Sequence, residues 1–193
     1  MTDPVVLNLG AVVQLTDETF YQLATSQDAV KLERAATGEI IVVPPIGGET
    51  GNKNVKITQQ LGNWEDSHEE LGISFDSSTE FKLPNGAYRS PDAAWISRER
   101  WNSLSIEEQT KFPPLCPDFL IELRSPSDRL QPLQDKMQEY LECGLRLGWL
   151  INRQDQQVEI YRQGKPKEVL QQPETLSGEE VLPGFVLKLK KIW

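Results

Sequence analysis

The chain has 193 residues, a length for which one domain spanning 1–193 is the default expectation. Its composition, 38% hydrophobic and 25% charged, is that of a globular protein, and no apolar run is long enough to cross a membrane. The formal net charge of −9 makes the chain acidic overall, whereas many proteins that bind nucleic acid are basic. The N-terminus carries no basic region followed by an apolar core, so the sequence predicts a cytoplasmic protein without membrane association.

Helical and strand-like segments alternate along the first half of the chain. A short helix is predicted over 17–23, where a capping residue precedes apolar contacts. An N-terminal β-hairpin follows over 32–44, because a Gly-containing turn leads into a β-branched run. Apolar residues at near-helical spacing predict a helix over 54–64. Extended segments are predicted at 72–76, at 81–89 around a Pro-Asn-Gly turn, and at 92–97.

The second half contains the clearest helix, over 128–143, which Gly144 closes in the C′ position. Before it, Ser105 is the expected N-cap of a shorter helix that a double proline ends. Strands are predicted at 118–124, 147–151 and 157–161 and at the tail from Phe185. This order predicts an α/β or α+β fold, with a mixed central β-sheet flanked by helices.

Two acids and a base stand where neighbouring strands would bring them together. Asp92 heads the predicted 92–97 strand, and Glu122 and Arg124 lie two residues apart in the 118–124 strand. Side chains two apart on a strand point to the same face, so Glu122 and Arg124 would emerge together. Asp92 would join them if the two strands are neighbours. Two carboxylates and a cation on one face fit a site that holds a divalent metal and an attacking water against a phosphodiester.

The same charges have plainer explanations, which the sequence leaves open. Charged side chains sharing one face would also suit an edge strand with a solvated side. Lys136 falls on the flank of the apolar stripe of the 128–143 helix. From there it could reach toward Glu122, or simply cover apolar surface with its methylene chain. His68 is the single histidine of the sequence, so a His-rich zinc site is excluded.

Six short motifs occur in a fixed order along nearly the whole chain. They are Gly-Glu-Ile-Ile-Val-Val-Pro-Pro at 38–45, Phe-Lys-Leu-Pro-Asn-Gly at 81–86, Arg-Ser-Pro-Asp at 89–92, Pro-Asp-Phe-Leu-Ile-Glu-Leu-Arg-Ser-Pro-Ser-Asp at 117–128, Lys-Met-Gln-Glu-Tyr at 136–140 with Gly144, and Trp-Leu-Ile at 149–151. The ordered set resembles a large bacterial family of restriction-endonuclease-like proteins, the Uma-type branch of the PD-(D/E)XK nuclease superfamily. The resemblance implies a restriction-endonuclease-like fold and metal-dependent hydrolysis of DNA.

The resemblance also implies roles for individual residues. Asp92 takes the place of the aspartate of the PD motif, and Glu122 that of the first acid of the (D/E)XK motif, so both would bind the metal. Arg124 stands where the superfamily has its lysine, although arginine is always charged and cannot serve as an ordinary general base. Lys136, in the following helix, is the candidate for the lysine's role, with Arg124 as the alternative. Glu39 is implied as an additional acidic metal ligand, with Glu33 behind it.

Residues and resemblance together favour an endonuclease that uses Mg²⁺ or Mn²⁺, with Asp92, Glu122, Arg124 and Lys136 as the catalytic candidates. DNA is the expected partner, and no organic cofactor is expected. A homodimer is one arrangement that would supply the two sites needed to cut both strands in one encounter. The alternative is a nuclease-fold module for interaction or DNA binding that does not cleave, which the acidic net charge and Arg124 both favour.

Overall fold

Three β-sheets, of five, six and two strands, and the helices around them form the fold in the computed structural model, which describes residues 5–10, 15–27 and 30–193. The strands are β1 (Val5–Leu7), β2 (Lys31–Arg34), β3 (Ile40–Val43), β4 (Gly72–Asp76), β5 (Phe81–Lys82), β6 (Tyr88–Arg89), β7 (Ala93–Ser97), β8 (Phe119–Leu123), β9 (Leu147–Asn152), β10 (Gln157–Arg162), β11 (Glu168–Gln171), β12 (Thr175–Ser177) and β13 (Val186–Lys188). The helices are α1 (Asp17–Thr25), α2 (Gly48–Glu65), α3 (Arg98–Asn102), α4 (Ile106–Thr110) and α5 (Leu130–Glu142), followed by a 3₁₀ helix over Leu189–Lys191.

The first sheet has the strand order β1-β3-β2-β6-β5 within the described residues, and all its pairs are antiparallel. The predicted N-terminal hairpin is confirmed as β2 and β3, in which Leu32 faces Val42. Gly38 closes its turn with a φ of +97°, a conformation that glycine adopts without steric cost. This sheet places the side chains of β2 beside the second, larger sheet.

The second sheet is mixed, with the order β11-β10-β9-β8-β7-β4. Strand β8 lies between the antiparallel β7 and the parallel β9, and all five of its residues are buried. The solvated edge strand considered above is therefore excluded. The β7–β8 pair registers Ala93 against Ile121, which makes the 92–97 and 118–124 segments neighbours. A mixed sheet with helices on its faces confirms the predicted fold class.

Helix α2 begins six residues earlier than the apolar spacing predicted. Its buried stripe starts with two polar residues, Thr50 and Asn54, and continues through Ile57, Leu61 and Trp64. The first turn and a half contains polar residues and glycines, so it lacks the apolar spacing from which the start of a helix is predicted. Helix α5 agrees with its prediction to within two residues, and Gly144 follows it with a φ of +102°.

Apolar side chains cover both faces of the mixed sheet. One core contains Trp95, Phe119, Trp149 and Phe185, and the other contains Leu120, Met137 and Tyr140. The predicted tail strand is shorter than expected, because the chain turns into the 3₁₀ helix after β13. Within the described residues, no helix combines the length and hydropathy needed to cross a lipid bilayer.

Candidate active site

The first sheet, α2, the β7–β8 pair and α5 surround a cavity of about 770 Å³. Part of its wall is apolar and includes Val43, Pro44 and Ile46. The rest carries a dense set of charges, which consists of Lys31, Glu33, Arg89, Asp92, Glu122, Asp128, Asp135, Lys136 and Glu139. The cavity thus brings together Asp92, Glu122 and Lys136 from three different elements.

Asp92 precedes β7 and points across to the end of β8. Its Oδ2 accepts a hydrogen bond of 2.7 Å from the backbone N–H of Leu123, and its Oδ1 accepts one of 2.7 Å from Asn54 Nδ2. Burial raises the pKa of Asp92, although both of these hydrogen bonds favour the ionised form and oppose the increase. Each carboxylate oxygen keeps a further lone pair that a cation could use.

Glu122 projects from the buried centre of β8 and is only 5% exposed. Its Oε1 accepts a hydrogen bond of 3.1 Å from the Tyr140 hydroxyl and lies 2.9 Å from Lys136 Nζ. Burial raises the pKa of Glu122 to about 7 against the opposing attraction of Lys136, and the negative charges of Asp92 and Glu33 add to the increase. A carboxylate with these neighbours is one that a bound cation would stabilise.

Lys136 extends from α5 into the cavity, where its amine joins two acids. Its Nζ lies 3.0 Å from Glu33 Oε1 and 2.9 Å from Glu122 Oε1. Burial alone would lower the pKa of Lys136, but the charges of Glu122 and Glu33 raise it overall, so the amine keeps its proton at neutral pH. The side chain is only 15% exposed, so the surface-covering role considered above is excluded.

Glu33 is the acid that the hairpin contributes. It lies on β2 and accepts a 3.0 Å hydrogen bond from the backbone N–H of Ser90, while Arg89 Nη1 lies 3.3 Å from its other oxygen. Burial opposes ionisation, but Lys136, Arg89 and Lys31 together hold the pKa of Glu33 below its usual range. Glu33 is therefore an anion that fixes the Lys136 amine.

Glu80 is another buried acid, 5% exposed, whose carboxyl is close enough to Glu33 for their charges to interact. Its Oε1 is buried and has no hydrogen-bond partner among the described residues. Burial and the negative charge of Glu33 raise the pKa of Glu80 to about 8, so this carboxyl is mostly neutral at pH 7. Near pH 7 an ionised Glu33 therefore stands beside a mostly neutral Glu80.

Two sequence candidates do not line the cavity. Glu39 stands at the hairpin turn, where its carboxylate accepts a hydrogen bond from the Thr37 hydroxyl. Arg124 follows the last residue of β8, and its Nη1 lies 3.1 Å from both Asn152 Oδ1 and Asp155 Oδ2. The Arg124 N–H still pairs with the Ile151 carbonyl of β9, but the guanidinium is engaged by Asn152 and Asp155 and does not reach the cavity. The structure brings Glu33 to the cavity in place of Glu39.

Sequence reasoning missed two cavity residues that support this cluster, Lys31 and Asn54. Lys31 lies two residues before Glu33 on β2, and its Nζ donates a 2.7 Å hydrogen bond to the Ser77 carbonyl. Burial lowers the pKa of Lys31. Asn54 comes from α2. The spacing of two residues between Lys31 and Glu33 could have indicated that Lys31 faces the cavity, because side chains two apart on a strand point to the same face.

Divalent-cation binding at this cluster would rest on Asp92 and Glu122. Within the described ranges, no three His, Cys, Asp or Glu side chains are placed to hold an ion by themselves. Mg²⁺ commonly binds to one or two carboxylates and completes its shell with waters and substrate phosphates. Two buried carboxylates with raised pKa values, beside the buried and unpaired Asn54 Oδ1 and Ser90 Oγ, fit such a partly hydrated ion.

Comparison with known proteins gives the chain a family. The family model Uma2, described as "Putative restriction endonuclease", matches residues 17–190. The crystal structure of a "putative nuclease belonging to DUF820" from Anabaena variabilis ATCC 29413 has a similar fold, with a TM-score of 0.70 at 18% identity over 84% of this chain and 89% of that one. Among curated proteins, none matches significantly. Because the family model spans nearly all of the sequence, this chain belongs to the Uma2 family of restriction-endonuclease-like proteins.

Proposed function

We propose that this chain is a metal-dependent endonuclease that hydrolyses phosphodiester bonds in DNA. The observation that carries the proposal is the convergence of Asp92, Glu122 and Lys136 in one cavity. Family membership supports nuclease chemistry, and the two buried carboxylates support a metal-dependent form of it. Two such sites are needed to cut both strands in one encounter, so a homodimer is part of the proposal.

Asp92 and Glu122 would hold Mg²⁺ or Mn²⁺, with the Leu123 carbonyl as a further ligand. Such an ion, when bound, supplies a coordinated water of lowered pKa and offsets negative charge on the phosphate. The hydrogen bonds from Asn54 and from the Leu123 N–H fix the Asp92 carboxylate, so its orientation is set before a substrate arrives.

Lys136 would act as a fixed cation and not as a base, because Glu122 and Glu33 raise its pKa. Its amine would face the phosphoryl oxygens, where negative charge develops during hydrolysis. Glu33 would serve as a positioning residue, since its Oε1 lies 3.0 Å from the Lys136 amine that Glu122 also contacts. Arg124 is engaged with Asn152 and Asp155, so we assign the role of the superfamily's lysine to Lys136.

Cleavage of plasmid and linear DNA with Mg²⁺, with Mn²⁺ and with a chelator tests the proposal. Asp92→Asn and Glu122→Gln should each lower the rate at least about 100-fold and abolish Mn²⁺ binding in calorimetry, because each removes a charged ligand. Glu39→Gln is the matched control, since this acid lies outside the cavity. Full cleavage by both folded acid variants would refute the assignment.

The acidic net charge also suits a nuclease-fold module without cleavage activity, as does the absence, among the described residues, of three ligand side chains placed to hold an ion. The same calorimetry separates the two functions. A folded wild-type protein that binds neither Mn²⁺ nor Mg²⁺ and cuts none of the DNA substrates would support the non-cleaving module.

A further inference from the structure

Five lysines lie together on one flank of α2 and on the C-terminal segment. This lysine patch consists of Lys53, Lys56, Lys188, Lys190 and Lys191. Lys188, Lys190 and Lys191 are exposed, and Lys53 and Lys56 are partly exposed. Within the part of the chain that the structure describes, none of the five forms an ion pair with an Asp or Glu side chain. Lys53 is held by main-chain oxygens of the C-terminal segment, and the positive charges of the other four lysines are available to a partner.

Specific contacts hold the two halves of the patch side by side. Lys53 Nζ donates hydrogen bonds to the main-chain oxygens of Lys191, at 3.0 Å, and Trp193, at 3.2 Å. Gln60 on the same helix accepts a 2.8 Å hydrogen bond from the Lys188 N–H and donates one of 3.2 Å to the Lys188 carbonyl. Lys53, Lys56 and Gln60 share a helix flank at spacings of three and four residues. The patch is thus one surface built from two distant parts of the sequence.

This surface adjoins the cavity. Helix α2 lines the cavity with Thr50 and Asn54, and Lys53 directly precedes Asn54 in the chain. Glu49, the acid one turn before Lys53, forms an ion pair with Arg153, which offsets its negative charge. A ligand that leaves the cavity over this flank of α2 therefore meets positive charge at once.

The distribution of charge suggests the class of ligand. The chain has a net charge of −9, so its overall charge repels polyanions. Within the cavity, Arg89 and Lys136 are already paired with acids and offer little to a long backbone. Duplex DNA carries one negative charge per roughly 1.7 Å of its axis and is attracted to clustered lysines irrespective of sequence.

We infer that the lysine patch binds the phosphate backbone of duplex DNA, on one side of the bond that enters the cavity. This inference rests on the proposed function, because it names how the same substrate is held. It also explains how an acidic protein could engage DNA: attraction is confined to one flank, and the remaining surface disfavours other approaches.

Binding of a fluorescein-labelled duplex of about 20 base pairs, measured by anisotropy with a chelator present, tests the patch without cleavage. The binding constant is measured between about 50 and 200 mM salt, and its logarithm is plotted against the logarithm of the salt concentration. Each lost phosphate contact should make the slope of this plot less negative by about 0.9. The triple variant Lys188→Gln, Lys190→Gln, Lys191→Gln should therefore change the slope by about 2 to 3. Lys190→Gln alone should change it by about 1, whereas Lys165→Gln, an exposed lysine in the β10–β11 turn, should not change it.

Steady-state cleavage with Mg²⁺ adds a second readout. The triple variant should raise KM and leave kcat unchanged, because the patch holds the duplex away from the reacting bond. Patch-dependent duplex binding in a protein that cuts no DNA would support the inference and refute the proposed function. An unchanged salt slope and KM in the folded triple variant would overturn the inference even if the wild type cleaves DNA. Failure of the wild type to bind the duplex would overturn it too. If the triple variant lost binding to phosphatidylserine vesicles but kept duplex binding, the inference would also be overturned. The partner of the patch would then be an anionic membrane.

Discussion

Lys136 Nζ lies 2.9 Å from Glu122 Oε1, although one residue belongs to a helix and the other to the central buried strand. The same amine is 3.0 Å from Glu33, so one lysine balances two buried acids. Without it, two carboxylates of low exposure would repel each other, with Arg89 and Lys31 as the remaining cations near Glu33. Both the charge state and the stability of the site therefore depend on Lys136.

The first prediction concerns the stability that Lys136 contributes. Lys136→Met should lower the free energy of unfolding by about 3 kcal/mol at pH 7, because it leaves buried charges without their partner. Urea unfolding measures the change. The double variant Lys136→Met, Glu122→Gln should regain part of the loss, since the uncompensated charge is then gone. A single variant as stable as the wild type would mean that Glu122 and Glu33 are neutral in the folded protein.

The second prediction concerns the pH dependence that Glu80 imposes. Its pKa in the folded protein is about 8, against 4.5 for an unperturbed glutamate. Between these values the folded state keeps a proton that the unfolded state has released, so the contribution of Glu80 to stability falls as pH rises. Glu80→Gln removes this effect. The variant should therefore exceed the wild type in stability by about 3 kcal/mol near pH 8, with a much smaller difference near pH 5. Urea unfolding at both pH values provides the check, and a difference independent of pH would contradict the prediction.

The third prediction separates the two acids of the hairpin. Glu33→Gln should lower kcat at least about tenfold, because Lys136 loses one of the groups that fix its amine. Glu39→Gln, six residues away, should keep kcat within about twofold, since this carboxylate contacts the turn residue Thr37. Rates on a DNA substrate measure both. A larger loss in Glu39→Gln than in Glu33→Gln would return the role of the extra acid to Glu39.

The fourth prediction concerns Arg124, which follows β8 and contacts Asn152, Asp155 and the Asp128 carbonyl. Arg124→Met should lower the free energy of unfolding by about 1 kcal/mol through these lost contacts. Mn²⁺ affinity and the cleavage rate should stay within about threefold of wild type, because the side chain does not line the cavity. A 100-fold lower rate in a folded variant would place Arg124 in the chemistry.

Much of the fold follows from local sequence signals. The β2–β3 hairpin, the end of α5 at Gly144 and the Ser105 capping box with Glu108 agree with the predicted elements. Each depends on residues within a few positions of one another, such as a turn glycine or a capping hydroxyl. Apolar spacing fails as a signal where the buried face of a helix is polar. The first turns of α2 were missed for this reason, because their buried residue is Thr50.

The candidate site was only partly predictable for the same reason. Asp92 and Glu122 stood out in the sequence because charge is rare in buried strands, and Lys136 because it lay on the flank of an apolar stripe. Which further acid joins them could not be settled locally. Glu33 and Glu39 occupy the same hairpin, and only the packing of β2 against the second sheet brings Glu33 to Lys136.

By itself the sequence determined the mixed fold, the main elements and the identity of three cavity residues, since periodicity, capping and turn chemistry act over short chain distances. Tertiary structure alone decided that Glu33 faces the cavity, that Arg124 turns to Asp155, and that Lys53 meets Lys191 across the length of the chain. These relationships depend on strand order and helix docking, which bury apolar surface contributed by the whole chain at once. No short window of sequence contains that information.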